Sequence, residues 1–119
     1  MFADILKGMV DGVNGAVGAV LMGYDGIAIE QHFRGGSDID LGLVAVEYSN
    51  ILKEIKKTVD ILNTGDLEEV SIKTGRYYVV IRALNEEYFV ALTLERDGNF
   101  GKGRYLLQRE TPALIRALS

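Results

Sequence analysis

The sequence predicts an α+β fold built on an antiparallel sheet. Three observations support this prediction. The segments run helix, strand, strand, helix, three strands, helix (α-β-β-α-β-β-β-α). The connections between consecutive strands are short enough for hairpins, which favours antiparallel pairing. The 119 residues contain no linker, repeat or low-complexity tract, so we expect one domain spanning residues 1–119.

The first half of the chain predicts a helix followed by a hairpin. Phe2–Val13 places apolar residues at alternating steps of three and one, which is typical of an amphipathic helix. Ala16–Met22 is a short apolar run bounded by glycine and predicts a buried strand. Gly23–Gly26 contains the Asp-Gly dipeptide that hairpin turns prefer. Ile27–Phe33 is therefore predicted to return as the second strand.

A long helix is predicted next, up to Leu62. It follows the Gly35-Gly36 break, and Ser37 with Asp40 three residues later resembles a capping box. Drawn at about 100° per residue, this helix is apolar on two opposite faces. Each apolar side chain on the second face would gain about 1.5–3 kcal/mol on burial, so we expect a protein partner to cover it. The core stripe is predicted to be Leu41, Val44, Ala45, Tyr48, Ile51, Leu52, Ile55, Val59 and Leu62, and the far face is Ile39, Leu43, Val46, Asn50, Lys53, Lys57 and Ile61.

Three strands and a final helix complete the prediction. Strands are expected over Leu67–Thr74, Arg76–Leu84 and Tyr88–Glu95, with a loop at Asp97–Gly103. Tyr105–Leu118 is predicted to be a helix kinked by Pro112. The loop fails both the calcium-loop and the Walker patterns, so it predicts neither a metal nor a nucleotide site.

The Leu67–Thr74 strand has the alternation of a sheet edge. Val70 and Ile72 fall on one face, while Glu69, Ser71 and Lys73 fall on the other. Because unprotected edges tend to pair with another chain, we expect this strand to contribute to an interface between chains.

Composition excludes several classes of partner. The net charge is −4 and no basic cluster exceeds two residues, so nucleic acid is not expected to bind. No segment approaches the roughly 20 apolar residues needed to cross a bilayer, and no membrane insertion is expected. The chain has no cysteine, which fits a reducing compartment. We therefore expect a cytoplasmic protein.

No catalytic constellation is found. The single histidine, His32, lacks a nucleophile and an orienting carboxylate nearby in sequence, so we interpret it as a solvent-facing strand residue. No serine lies in a Gly-x-Ser-x-Gly elbow. Asp38 and Asp40 suit helix capping better than metal binding. The chain is predicted not to be an enzyme and to need no cofactor or metal.

Taken together, these segments resemble the roadblock/dynein light chain family and, within it, bacterial MglB-type proteins. The resemblance is carried by Gly18–Ile27, which is similar to the family's first hairpin, by Tyr77–Val80 in the strand triplet, and by the helix entry at Gly101–Leu107. It implies a five-stranded antiparallel sheet with the long helix on one face and both terminal helices on the other.

The resemblance also implies a homodimer that binds a small Ras-like GTPase and accelerates GTP hydrolysis, in cell polarity or motility. A non-catalytic light-chain-type adaptor is the alternative, and a small-ligand sensor is a third hypothesis. The surfaces that the residues single out are the two that the family uses. Partner binding is predicted at Ile39, Leu43, Val46, Asn50, Lys53 and Lys57, and the dimer interface at Val70, Ser71, Ile72 and Lys73.

Overall fold

The computed structural model describes residues 1–35 and 40–119. Its elements follow the predicted order, and the five strands form one antiparallel sheet. The elements are α1 (Phe2–Gly12), β1 (Ala16–Gly23), β2 (Ala28–Phe33), α2 (Leu41–Leu62), β3 (Glu69–Lys73), β4 (Tyr77–Ala83), β5 (Tyr88–Glu95) and α3 (Phe100–Leu118).

The strand order in the sheet is β2-β1-β5-β4-β3, so β2 and β3 are the two edges. One face of the sheet packs against α1 and α3, and the other packs against α2, which confirms the predicted layers. Alternation along each strand separates the two cores: Val80 and Leu92 face α1 and α3, whereas Val79 and Ala91 face α2. The sheet therefore contributes side chains to both cores.

The long helix begins later than predicted. Asp40 is the N-cap, with extended backbone, and its side chain accepts a hydrogen bond of 3.0 Å from the Leu43 N–H. Asp40 therefore precedes the helix instead of standing in its first turn. Ser37, the other member of the predicted capping box, lies outside the described residues, as does Asp38. The helix ends as predicted near Asn63, whose backbone is left-handed (φ 53°).

The last helix begins earlier than predicted, at Phe100 instead of Tyr105. Asn99 caps it by accepting a 3.1 Å hydrogen bond from the Lys102 N–H. Gly103 is buried in this helix, where a Cβ would lie 3.1 Å from Leu92 Cδ2. The glycines that predicted a loop therefore allow the helix to approach the sheet closely. The helix also runs through Pro112 without interruption.

Candidate functional site

Helix α2 contacts the sheet through a narrow strip of buried residues. Ala45 is 2% exposed and Leu52 is 1% exposed. Between them Ser49 is also buried, and its hydroxyl donates to the Val46 carbonyl oxygen at 2.6 Å, which satisfies its polar atom within the helix. The contact with the core is therefore narrow, and most of the helix circumference remains available.

The far face of α2 is open, as the sequence predicted. Leu43 is 56% exposed, Val46 40% and Ile61 74%. Asn50, Lys53 and Lys57 are exposed along the same line. Ile39, the remaining residue predicted for this surface, lies outside the described residues.

Two residues of the predicted core stripe are not in the core. Ile51 is 51% exposed and Leu62 is 63% exposed. At about 100° per residue they lie some 100–120° around the helix from Ala45, beyond the width of the contact with the sheet. The prediction of their burial was wrong because the apolar stripe is wider than that contact.

The exposed pair lies on the side of α2 that faces β3. On the opposite side, Ser49 lies beside the β1–β2 turn, where a Cβ on Gly26 would be 3.5 Å from its hydroxyl. Tyr48, on the same flank as Ile51, packs against the core together with Val70 and Ile72 of β3. The apolar residues on this side of α2, together with those of β3, form a strip that we call the β3-side surface. It consists of Val44, Ile51, Ile55 and Leu62 of α2 and Val70 and Ile72 of β3.

The pairing of β3 with β4 determines which backbone amides and carbonyls of β3 point outwards from the edge of the sheet. Residues 69–73 pair with residues 82–78 of β4. Ala83 N–H donates to the Glu68 carbonyl and Thr74 N–H to the Tyr77 carbonyl, both at 2.9 Å. Because hydrogen-bonded and non-bonded positions alternate in an antiparallel ladder, even-numbered residues here bond to β4. The amides and carbonyls of Glu69, Ser71 and Lys73 therefore point away from the sheet.

The side chains of these three residues lie on the α1/α3 face. Glu69 Oε2 accepts hydrogen bonds from Arg104 of α3, whose Nη2 lies at 2.7 Å and Nε at 2.8 Å. The other carboxylate oxygen, Oε1, is buried and has no hydrogen-bond partner within the residues described. Ser71 and Lys73 are exposed. The predicted dimer residues thus divide between the two faces of one edge strand.

The opposite edge of the sheet, β2, is less available for pairing with another strand. The register between β1 and β2 shifts at Leu21/Met22, and such a bulge disrupts an edge. The Gln31 N–H is taken up by the Glu30 carboxylate at 3.1 Å. Beside this strand Ile27 is 66% exposed and Ile29 is 40% exposed. Sequence reasoning missed the exposure of these two apolar residues, because both fit an ordinary strand pattern.

A small polar cleft lies at the C-terminal half of α2. Lys56 Nζ bonds to Glu86 and lies 3.6 Å from Asp60, and the hydrogen bond to Glu86 raises the Lys56 pKa. Burial raises the pKa of the neighbouring Tyr24. The cleft encloses about 100 Å³, whereas ligand pockets typically hold about 300–1,000 Å³. This cleft therefore gives the small-ligand hypothesis no support.

Outside the cleft lies an open depression of about 350 Å³. Lys53, Lys57 and Ile61 of the far face contribute to its lining. It joins basic and apolar groups on a surface that solvent reaches freely, which suits contact with a protein better than enclosure of a small molecule.

Other chemistry receives no support from the described part of the chain. His32 is half-buried in β2 opposite Ala19 and is not fully solvent-facing as predicted, because it lies on the more covered face of this strand. Within residues 1–35 and 40–119, no group of three or more His, Asp or Glu side chains is placed to hold a metal ion. No helix in the described ranges combines the length and apolar character that a membrane crossing requires.

Comparisons with known proteins agree with this architecture. Residues 3–93 match the model of the Roadblock/LC7 domain. Similar solved structures include MglC from Myxococcus xanthus, with 37% identity, a TM-score of 0.70, and 98% of this chain and 97% of that chain covered. They also include the gliding protein MglB from Thermus thermophilus, at 16% identity and TM-score 0.82, covering 95% of this chain and 84% of that chain. A structure of MglB in a tetrameric arrangement has 16% identity and a TM-score of 0.83, with the same coverage. Curated proteins yield no match.

Proposed function

The chain belongs to the Roadblock/LC7 domain family, and on that premise we propose that it is a cytoplasmic homodimer that regulates a small Ras-like GTPase. The resemblance to MglC extends to the sequence, whereas the resemblance to MglB is one of fold. We propose that the protein acts as an activating or co-regulatory partner in cell polarity or motility, without contributing a catalytic residue.

One observation carries the proposal: α2 exposes large apolar side chains on two separate surfaces. A helix that served only to cover the sheet would be polar away from its core contact. Scattered exposed apolar residues are normal, but a concentration on one 22-residue helix indicates interfaces. The residues concerned are Leu43, Val46, Ile51, Ile61 and Leu62.

We assign the β3-side surface to the second copy of the chain. The free edge of β3 adjoins it, and backbone pairing there would extend the sheet while Ile51 and Leu62 lose contact with water. The blunted edge at β2 makes β3 the better site for strand pairing. A tetrameric arrangement is known for an MglB of similar fold, and this supports the proposal that copies of the chain associate.

We assign the far face to the GTPase. Leu43 and Val46 supply an apolar contact, and Lys53 and Lys57 supply positive charge a few turns further along the helix. Such a combination resembles the apolar centre and polar rim of protein interfaces. Stimulation of hydrolysis would then come from holding the GTPase in a productive conformation.

Substitution of Val46 by Asp tests the docking surface. Val46 is 40% exposed and lies away from the core contact, so the free energy of unfolding should change by no more than about 0.5 kcal/mol. Binding of the cognate GTPase, measured by calorimetry, should weaken by several kcal/mol because the new carboxylate is unpaired at the contact.

Tyr105→Asp is the matched control, since Tyr105 is 58% exposed on α3, on the other side of the sheet. It introduces the same charge and should leave GTPase binding unchanged. Equal binding by wild type and Val46→Asp, with both proteins dimeric, would contradict the assignment of the far face.

The alternative is a light-chain-type adaptor that uses the same surfaces. Both hypotheses predict a homodimer with a free far face, so exposure does not separate them. The adaptor hypothesis predicts that the bound GTPase hydrolyses GTP at its own rate, whereas the regulator hypothesis predicts a change in that rate.

A further inference from the structure

The free edge of β3 is self-complementary in one register. Resting on the proposed homodimer, we propose that two copies pair their β3 strands antiparallel with Ser71 opposite Ser71 of the partner subunit. This register places Glu69 opposite Lys73 of the partner subunit, once at each end of the pair. The interface would then contain two symmetric ion pairs between subunits.

The backbone restricts the possible registers. Because Glu69, Ser71 and Lys73 direct their amides and carbonyls outwards, only pairings of odd with odd residues exchange hydrogen bonds across the edge. Neighbouring permitted registers therefore differ by a shift of two residues. A twofold axis then passes through residue 71, or through a neighbouring position such as 70 or 72.

The charges select among these registers. A shift that places Glu69 opposite Glu69 of the partner subunit, or Lys73 opposite Lys73 of the partner subunit, brings like charges together, which destabilises strand pairs. With the axis through 70 or 72, each charge faces a serine or an uncharged flanking residue. Only the axis through Ser71 joins opposite charges at both ends.

The two groups have capacity for this contact. Arg104 occupies Oε2 of Glu69, and Oε1 has no partner among the described residues but is buried within the subunit. The side chain as a whole is 18% exposed, so the contact requires the carboxylate to turn towards the edge of the sheet. The Lys73 ammonium lies 5.1 Å from the centre of the Tyr78 ring, and no carboxylate of the described chain pairs with it. A carboxylate of the partner subunit would give this ammonium an ion-pair partner.

The opposite face is compatible with the same register. Val70 and Ile72 are half-buried there beside α2. In the proposed pairing each lies opposite the other type in the partner subunit, at a non-hydrogen-bonded position where side chains approach closely. The β-branched pair would join the β3-side surfaces of the two subunits.

Single cysteines would map the register, because the chain has none of its own. Opposed residues in an antiparallel pair have Cα atoms about 4.5–5.5 Å apart, within the roughly 4.4–6.8 Å that a disulfide spans. Under mild oxidation Ser71→Cys should cross-link with itself. Val70→Cys and Ile72→Cys should each stay uncross-linked alone and should cross-link when mixed.

The cross-linking pattern separates the register from the homodimer itself. Self-cross-linking of Val70→Cys or of Ile72→Cys would overturn the Ser71 register. A wild-type protein that sediments as a monomer would refute the homodimer. A wild-type dimer that shows neither the Ser71 cross-link nor the mixed one would refute the register alone and leave the homodimer standing.

Charge exchange tests the ion pairs. Glu69→Lys and Lys73→Glu should each weaken the homodimer by roughly tenfold or more, because each places like charges opposite one another twice. Mixing the two variants should restore dimers, as heterodimers with two attractive pairs. Lys53→Glu, an exposed lysine on the far face, is the control that should leave dimerisation unchanged.

Glu69 also bonds Arg104 within its own subunit, so folding of Glu69→Lys must be checked by circular dichroism. Should that variant unfold, Lys73→Glu alone decides: its homodimer should be weak at low salt and recover at high salt, as the repulsion is screened. An unchanged dissociation constant for Lys73→Glu at every salt concentration would overturn the ion pair.

Discussion

Proline at position 71 gives a selective test of the β3 edge. Ser71 directs its N–H away from β4, so its replacement by proline leaves the intrachain ladder intact. In a dimer paired through this edge, each subunit loses one donor, and the twofold axis doubles the loss. A typical hydrogen bond contributes about 0.5–1.5 kcal/mol net. The dimer should therefore weaken by about 1–3 kcal/mol, or roughly 5- to 150-fold in dissociation constant.

Analytical ultracentrifugation across a dilution series measures this change. Gln31→Pro is the matched control, because Gln31 occupies an outward-facing position on the other edge strand and its N–H is bonded to Glu30. It should leave the dissociation constant unaltered. An unchanged dimer in Ser71→Pro, or equal weakening by both prolines, would refute the choice of the β3 edge.

Two further predictions concern stability. Gly103→Ala should lower the free energy of unfolding, measured by chemical denaturation, by about 1–3 kcal/mol relative to Gly101→Ala. The reason is that a Cβ at position 103 lies 3.1 Å from Leu92 in a filled core, whereas position 101 is exposed. Equal stability of the two variants would show that the helix can move away from the sheet. Burial raises the folded-state pKa of Tyr24 above its ordinary 10.0, so the stability linked to its protonation is fully present below about pH 10 and is lost as the pH rises through the folded-state pKa. Tyr24→Phe should remove that loss, and the difference between the two unfolding curves above about pH 10 measures it; parallel curves would contradict the burial effect.

Periodicity predicted the elements and layers of the fold because each buried face repeats along the chain. The alternation of Val70 and Ile72 with Ser71 was sufficient to place β3 at an edge and to assign its faces. The exposure of Leu43 and Val46 likewise followed from the angle they make with the core stripe.

The remaining features depend on distances between elements, which a sequence pattern does not contain. Ile51 and Leu62 belong to the same apolar stripe as Leu52, and only the width of the contact with the sheet separates them. Gly103 is equally typical of a loop and of a close helix–sheet contact. The direction of the Ser71 amide also required the hydrogen bonds at both ends of β3.

Single-turnover GTP hydrolysis by the cognate GTPase tests the central claim most directly. Titration with the wild-type protein should change the hydrolysis rate to a plateau, and Val46→Asp, while still dimeric, should leave the rate at its intrinsic value. A GTPase that binds the wild-type dimer to saturation and still hydrolyses GTP at its intrinsic rate would contradict the regulator hypothesis and favour the adaptor.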